Sequence, residues 1–249
     1  MEEAQRIFDY LPISPLESEY IQFLWEAFES NVESEKYQFG YIAYHMLFMC
    51  FIYYQIAKIY KVDCENCKNL MVFTGKVQNH IDAHESKILA GKDSVIAPLR
   101  FSEENERTIM GLFLLIQCNR DEIKRLKNIV DSRNEIAHSN GNIFYKTKES
   151  LEEKIDEMLS CIEVIQRKSI PIIEKAYRDF LIESCDPETR EFYDDENQIS
   201  QILIQGNYLS LEDIRIAKEC DIAVLSEEAG FDNIQSLDET LNHNYTEEE

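Results

Sequence analysis

The sequence predicts an all-α protein: a helical bundle with an acidic, partly helical C-terminal extension. Three observations carry this expectation. Apolar residues recur mostly three and four apart, the period of a helix face. Gly and Pro are few, 7 and 5 in 249 residues, so turns should be few. No stretch alternates strictly between apolar and polar residues, and neither GxGxxG nor GxxxxGK[ST] occurs, which removes the commonest phosphate-cradling loops. With 44% hydrophobic residues the chain can bury a substantial core, as one large domain or one domain with an appendage.

The elements follow in chain order. In LPISPLESEY, Pro12 and Pro15 lead into a first helix over residues 16–31. Residues 38–57, QFGYIAYHMLFMCFIYYQIA, carry no formal charge. They are long enough to cross a bilayer. Gln38, His45, Gln55 and four Tyr argue instead for a helix surrounded by protein, with His45 a satisfied core histidine. Residues 62–100 are less regular, with candidate breaks at Gly75 and Gly91. Ser102 opens SEENERTIMGLFLLIQC with acids in its first turn, a helix-start signal. A helix begins near Arg120, placing Ile123, Leu126, Ile129, Val130 and Ile136 on one face. After a break at 139–141, Leu151, Ile155, Met158, Leu159, Ile162 and Ile165 form a second stripe. Pro171 should kink or restart that helix, which runs on to about Ser184. CDPETREFYDDENQ reads as an acidic linker, residues 198–241 as short helices and YTEEE as a frayed end. The expected division is 1–188 and 189–249, with a possible zinc-binding insertion at 62–86.

The net charge of −23 opposes nucleic acid and anionic membranes globally. It is unevenly spread. Residues 183–249 hold 19 acidic against 3 basic side chains, whereas 120–148 hold 7 basic against 4 acidic. Seven scattered cysteines, with Met1 leading directly into Glu-Glu-Ala-Gln, suggest a cytoplasmic protein with reduced thiols and no membrane attachment.

The locally basic stretch contains DSRNEIAHSNGN, residues 131–142. On a continuous helix Arg133 and His138 lie roughly 140° apart, whereas Asn134 and His138 share a face. Ser-Asn-Gly supplies a helix stop, so His138 is expected in the last turn. Arg, Asn and His together suit cleavage of RNA by its own 2′-hydroxyl. One group removes the hydroxyl proton, one protonates the leaving 5′-oxygen, and a cation stabilises charge at phosphorus. A two-fold dimer would bring two copies of each to one cleft. The plainer reading pairs Arg133 with Glu135 or Asp131 and makes His138 a helix cap.

IVDSRNEIAHSNGNIF resembles the signature of the HEPN superfamily, an Arg, often followed by a polar residue such as Asn, with four to six residues between it and a His at the junction of two helices of a small bundle; here four lie between. Arg133, Asn134 and His138 are the matching positions, and the resemblance covers roughly residues 16–184. It implies a metal-independent endoribonuclease acting as a homodimer, with Arg133 and His138 catalytic and Asn134 orienting. It also implies 2′,3′-cyclic phosphate and 5′-hydroxyl products, and a toxin or antiviral defence role with an antitoxin or defence-system partner protein. Other members are non-catalytic scaffolds or RNA-binding modules, which the overall negative charge favours. Toxins of this kind that pair with a nucleotidyltransferase often carry Tyr two residues after the His. Here that position is Asn140, and Tyr145 is too far along to match.

Cys64, Cys67, His80 and His84 have the spacing C-x2-C-x12-H-x3-H of a two-Cys two-His zinc finger. Met71 and Val77 fall where such a fold needs apolar residues, although Met71 stands in for the usual aromatic. The expectation is a structural zinc, set against two loop thiols and two surface histidines. The acidic C-terminal region is read as a solvated tail, as an RNA mimic held against the basic stretch, or as a partner-binding module.

Overall fold

The computed structural model describes residues 2–138 and 141–245, and every regular element among them is helical. In chain order these are α1 (Glu2–Gln5), a 3-10 turn (Arg6–Tyr10), α2 (Pro15–Glu33), α3 (Tyr37–Val62), α4 (Cys64–Met71) and α5 (Gly75–Leu89). A 3-10 turn (Pro98–Glu103), α6 (Glu106–Ile109), a second 3-10 run (Met110–Ile116), α7 (Arg120–Ala137) and α8 (Lys148–Ser184) follow. The last part holds α9 (Asp195–Asn197), a π-helical turn (Gln198–Gln205), α10 (Leu211–Lys218), a 3-10 turn (Ala223–Leu225) and α11 (Phe231–Asn244). The chain divides into two compact units, Met1–Ile7 with Glu19–Lys168 and Phe8–Ser18 with Ser169–Glu249.

The first unit is built on α3. Its most apolar window is 89% buried by protein, as the mix of Tyr, Gln and His in that segment led us to expect. One face meets α2 through the rings of Trp25, Phe28 and Tyr44, with centroids 5.0 and 5.2 Å apart. Gly40 is where α3 comes closest to its neighbours: a β-carbon there would stand 3.3 Å from Val32 and 3.6 Å from Leu151. The Tyr41 hydroxyl donates to the Ile129 carbonyl on α7, and Gln55 Nε2 donates to Gln166 Oε1 on α8 at 3.0 Å. These bonds satisfy polar groups that an apolar helix core would otherwise strand.

The second unit has its own apolar core. Tyr177, Phe180 and Leu181 of α8 pack with Leu203, Ile214, Ile234, Leu237 and Leu241. The N-terminal segment joins it: the Ile13 amide donates to the Leu209 carbonyl at 3.1 Å, and Ile13 packs against the core. Tyr177 donates to Asp238 Oδ1 at 2.7 Å. Ser210 caps α10 reciprocally with Asp213. Gly230, at φ +90°, lets the chain turn tightly over Cys185 into α11.

Several boundaries differ from the sequence reading. The division falls at Lys168 rather than 188, because the end of α8 belongs with the acidic region's core. α8 is continuous through Pro171. The helix expected from Ser102 begins instead at Asn105, whose side chain caps Thr108, and soon tightens to 3-10 before Gln117 at φ +60°. All seven cysteines are unbridged.

Candidate functional site

α7 carries the sequence-predicted constellation. Its start is fixed by a capping box in which Asn119 accepts from the Glu122 amide while Glu122 accepts from the Asn119 amide. Its end is fixed from α3. Gln38 Nε2 donates to the Ile136 carbonyl, and Gln38 Oε1 accepts from the Phe144 amide. Gln38 therefore takes up one of the carbonyls that a helix C-terminus leaves unpaired.

The helix stops at Ala137. His138 is the first residue past it, in extended backbone at φ −85°, ψ 136°, and is exposed. It is thus a cap residue rather than part of the last turn. Asn134 is half-buried on α7. Ser139 and Asn140 lie outside the described residues, so the helix stop read from Ser-Asn-Gly is described only at Gly141, whose φ is +80°. Tyr145 packs its ring against Tyr41 with centroids 4.9 Å apart.

Arg133 points to a partner that the sequence did not suggest. Its guanidinium pairs with Glu106 at the start of α6 rather than with Asp131, which pairs with Arg107, or with Glu135. The same carboxylate oxygen, Glu106 Oε2, lies 3.2 Å from His45 Nε2 of α3. Burial alone would raise the Glu106 carboxyl, but hydrogen bonds from His45 and Arg133 more than offset it and hold it at about 2. Burial pushes His45 below its ordinary value, outweighing the hydrogen bond to Glu106. A neutral ring beside a carboxylate carries its proton on Nε2, leaving Nδ1 as a bare acceptor. Nδ1 is buried and has no protein partner.

Arg133, Glu106 and His45 line a pocket of about 400 Å³. Tyr20, Met46, Met49 and Tyr53 make much of its apolar wall, and Ala137 also lines it. That volume is within the usual range of small-molecule sites. His45 and Glu106 were not candidates on sequence: one read as core, the other as a first-turn acid. A polar His in a charge-free helix was the available signal for His45.

The zinc-finger constellation is distributed differently. Cys64 starts α4 and donates to Glu85 Oε1 at 3.6 Å. Cys67 is fully buried on α4, with Met71 and Val77 buried beside it in the unit core. His80 Nε2 is 3.2 Å from Glu103 Oε2, and His84 Nδ1 is 3.1 Å from Ser94 Oγ. Among the described residues no three His, Cys, Asp or Glu side chains gather as a metal cage. As arranged, Cys64, His80 and His84 each hold a separate partner, and Cys67 is enclosed in the core.

No family model, characterised protein or solved structure matches the chain.

Proposed function

We propose that the protein is a metal-independent endoribonuclease of the HEPN type, working as a homodimer in the cytoplasm. The observation that carries the reading is the placement of a fixed cation on a pocket wall, Arg133, five residues before an exposed histidine at the end of the same helix. His138 takes or gives the proton, Asn134 orients it or the phosphate, and Arg133 stabilises charge on the phosphorane-like transition state. The 2′-oxygen bonds to phosphorus and the bond to the 5′-oxygen breaks. The 2′-hydroxyl proton leaves to the base, and the departing 5′-oxygen gains a proton. A 2′,3′-cyclic phosphate and a 5′-hydroxyl result. A toxin or antiviral role, restrained by a partner protein, follows from the same resemblance.

The Arg133–Glu106 pair favours a second reading, a non-catalytic scaffold or RNA-binding module, because the carboxylate already compensates the guanidinium. Purified wild type, Arg133→Ala and His138→Ala, each incubated with RNA in EDTA, separate the two. Cleavage to cyclic-phosphate ends that both variants lose supports the ribonuclease. Cleavage that survives in both removes Arg133 and His138 from the chemistry, and an inactive wild type that still binds RNA supports the scaffold.

A further inference from the structure

The pocket beside Arg133 has walls and a polar end with distinct chemistry. Tyr20 of α2 stands at one side with 40% of its surface exposed, its ring stacked on that of Phe23 at 6.5 Å. Met46 and Met49 add soft, adaptable surface to the same lining. An aromatic ring with such apolar neighbours can stack a flat π-system. The polar end is Glu106 with Arg133 and His45.

The lone pairs of that carboxylate can be counted. A carboxylate offers about four acceptor sites, two on each oxygen. Oε2 is engaged by both His45 and Arg133. Oε1 has no hydrogen-bond partner among the described residues, so its acceptor sites remain open. Arg133 makes no ion pair other than that with Glu106 among them, leaving further N–H donors for an acceptor beside the carboxylate.

We infer that this pocket receives a guanine base of the RNA, with Glu106 Oε1 accepting from guanine N1–H and N2–H₂. Guanine is the only common base that presents two adjacent donors beside an acceptor. Uracil offers one donor between two carbonyls, and its second carbonyl would face the carboxylate. Adenine and cytosine each offer one amino group beside a bare ring nitrogen. The carboxylate is therefore a specificity element, and Tyr20 a stacking platform indifferent to the base. This inference deepens the ribonuclease reading and rests on it for the biological substrate, but the pocket can be tested alone.

The experiment is calorimetric titration of the full chain with GMP, IMP, AMP, CMP and UMP. GMP should bind tightest, with IMP, which lacks only the N2 amino group, roughly tenfold weaker. Glu106→Gln should erase the preference for GMP. Tyr20→Ala, at a partly exposed position, should weaken all five nucleotides by similar factors. Equal affinity for all five, a GMP preference that persists in Glu106→Gln, or no binding at millimolar nucleotide would overturn the inference. Oligonucleotides carrying each base beside a single cleavable linkage keep the two readings apart. Cleavage without guanine preference sinks the pocket assignment and keeps the ribonuclease. Selective GMP binding by a protein that cleaves nothing keeps the pocket and sinks the ribonuclease.

Discussion

Two polar constellations in the first unit were assembled by opposite routes. Cys64, Cys67, His80 and His84 are near one another in sequence, sit on successive helices and have the spacing of a known metal site, yet Cys64, His80 and His84 each hold a different partner and Cys67 is enclosed in the core. His45, Glu106 and Arg133 are scattered along the chain and have no spacing rule, yet they meet at one carboxylate oxygen. Spacing reports which groups a local fold could gather. Which groups do meet depends on helix packing, and here α3 brings the distant set together. An ionised carboxylate set into a largely apolar wall needs donors around it.

The comparison can be broken at several strengths. The largest effect is expected on cleavage: His138→Ala should lose about a hundredfold or more in rate, whereas Cys64→Ser should retain it, as read by single-turnover assays on one RNA. Next is stability. Glu106→Ala leaves Arg133 and His45 without their shared acceptor and should cost about 2 kcal/mol in urea unfolding, less than a fully buried pair because the carboxylate is a fifth exposed. Cys67→Ser should follow at about 1–2 kcal/mol, since it buries a hydroxyl where a thiol is fully enclosed. Cys64→Ser should fall within about 0.5 kcal/mol of wild type. A zinc cage would instead make both cysteines costly, and EDTA would then lower the melting temperature.

The smallest effect is a slope. The folded-state carboxyl of Glu106 titrates at about 2 against an ordinary 4.5. Its contribution is therefore fully present above about pH 4.5 and lost as pH falls towards 2. His45, held below its ordinary 6.5, adds a loss that begins as pH falls below that value, because the unfolded chain takes up the proton first. Urea midpoints between pH 4.5 and 2 should fall less steeply for Glu106→Gln than for wild type. Equal slopes would mean that Glu106 does not set this window.

Much of the helical framework was readable. The faces of α7 and α8 followed from three-and-four spacing, and α3 contains the whole charge-free stretch 38–57 and runs on to Val62. Arg133 was legible as a candidate, but its partner was not, because Glu106 carries no signal that distinguishes it from any other first-turn acid. The second unit was harder to foresee. Its acidic surface reads as tail, whereas Leu203, Ile214, Ile234, Leu237 and Leu241 lie in short stretches that define a core only once Tyr177, Phe180 and Leu181 are placed with them. A truncation at residue 190 would strip the cover from those three side chains. A restraint test by deletion therefore needs a folding control.

The second unit also draws on both ends of the chain. The Ile13 amide finds its acceptor at Leu209, so one edge of that core emerges from the ribosome about 200 residues ahead of its mate. At roughly 5–20 residues per second the wait is on the order of 10–40 s. During that interval the first unit has every residue it needs by Lys168. Synthesis thus imposes an order that the finished fold conceals: the pocket-bearing unit has its full complement of residues before the second unit can close.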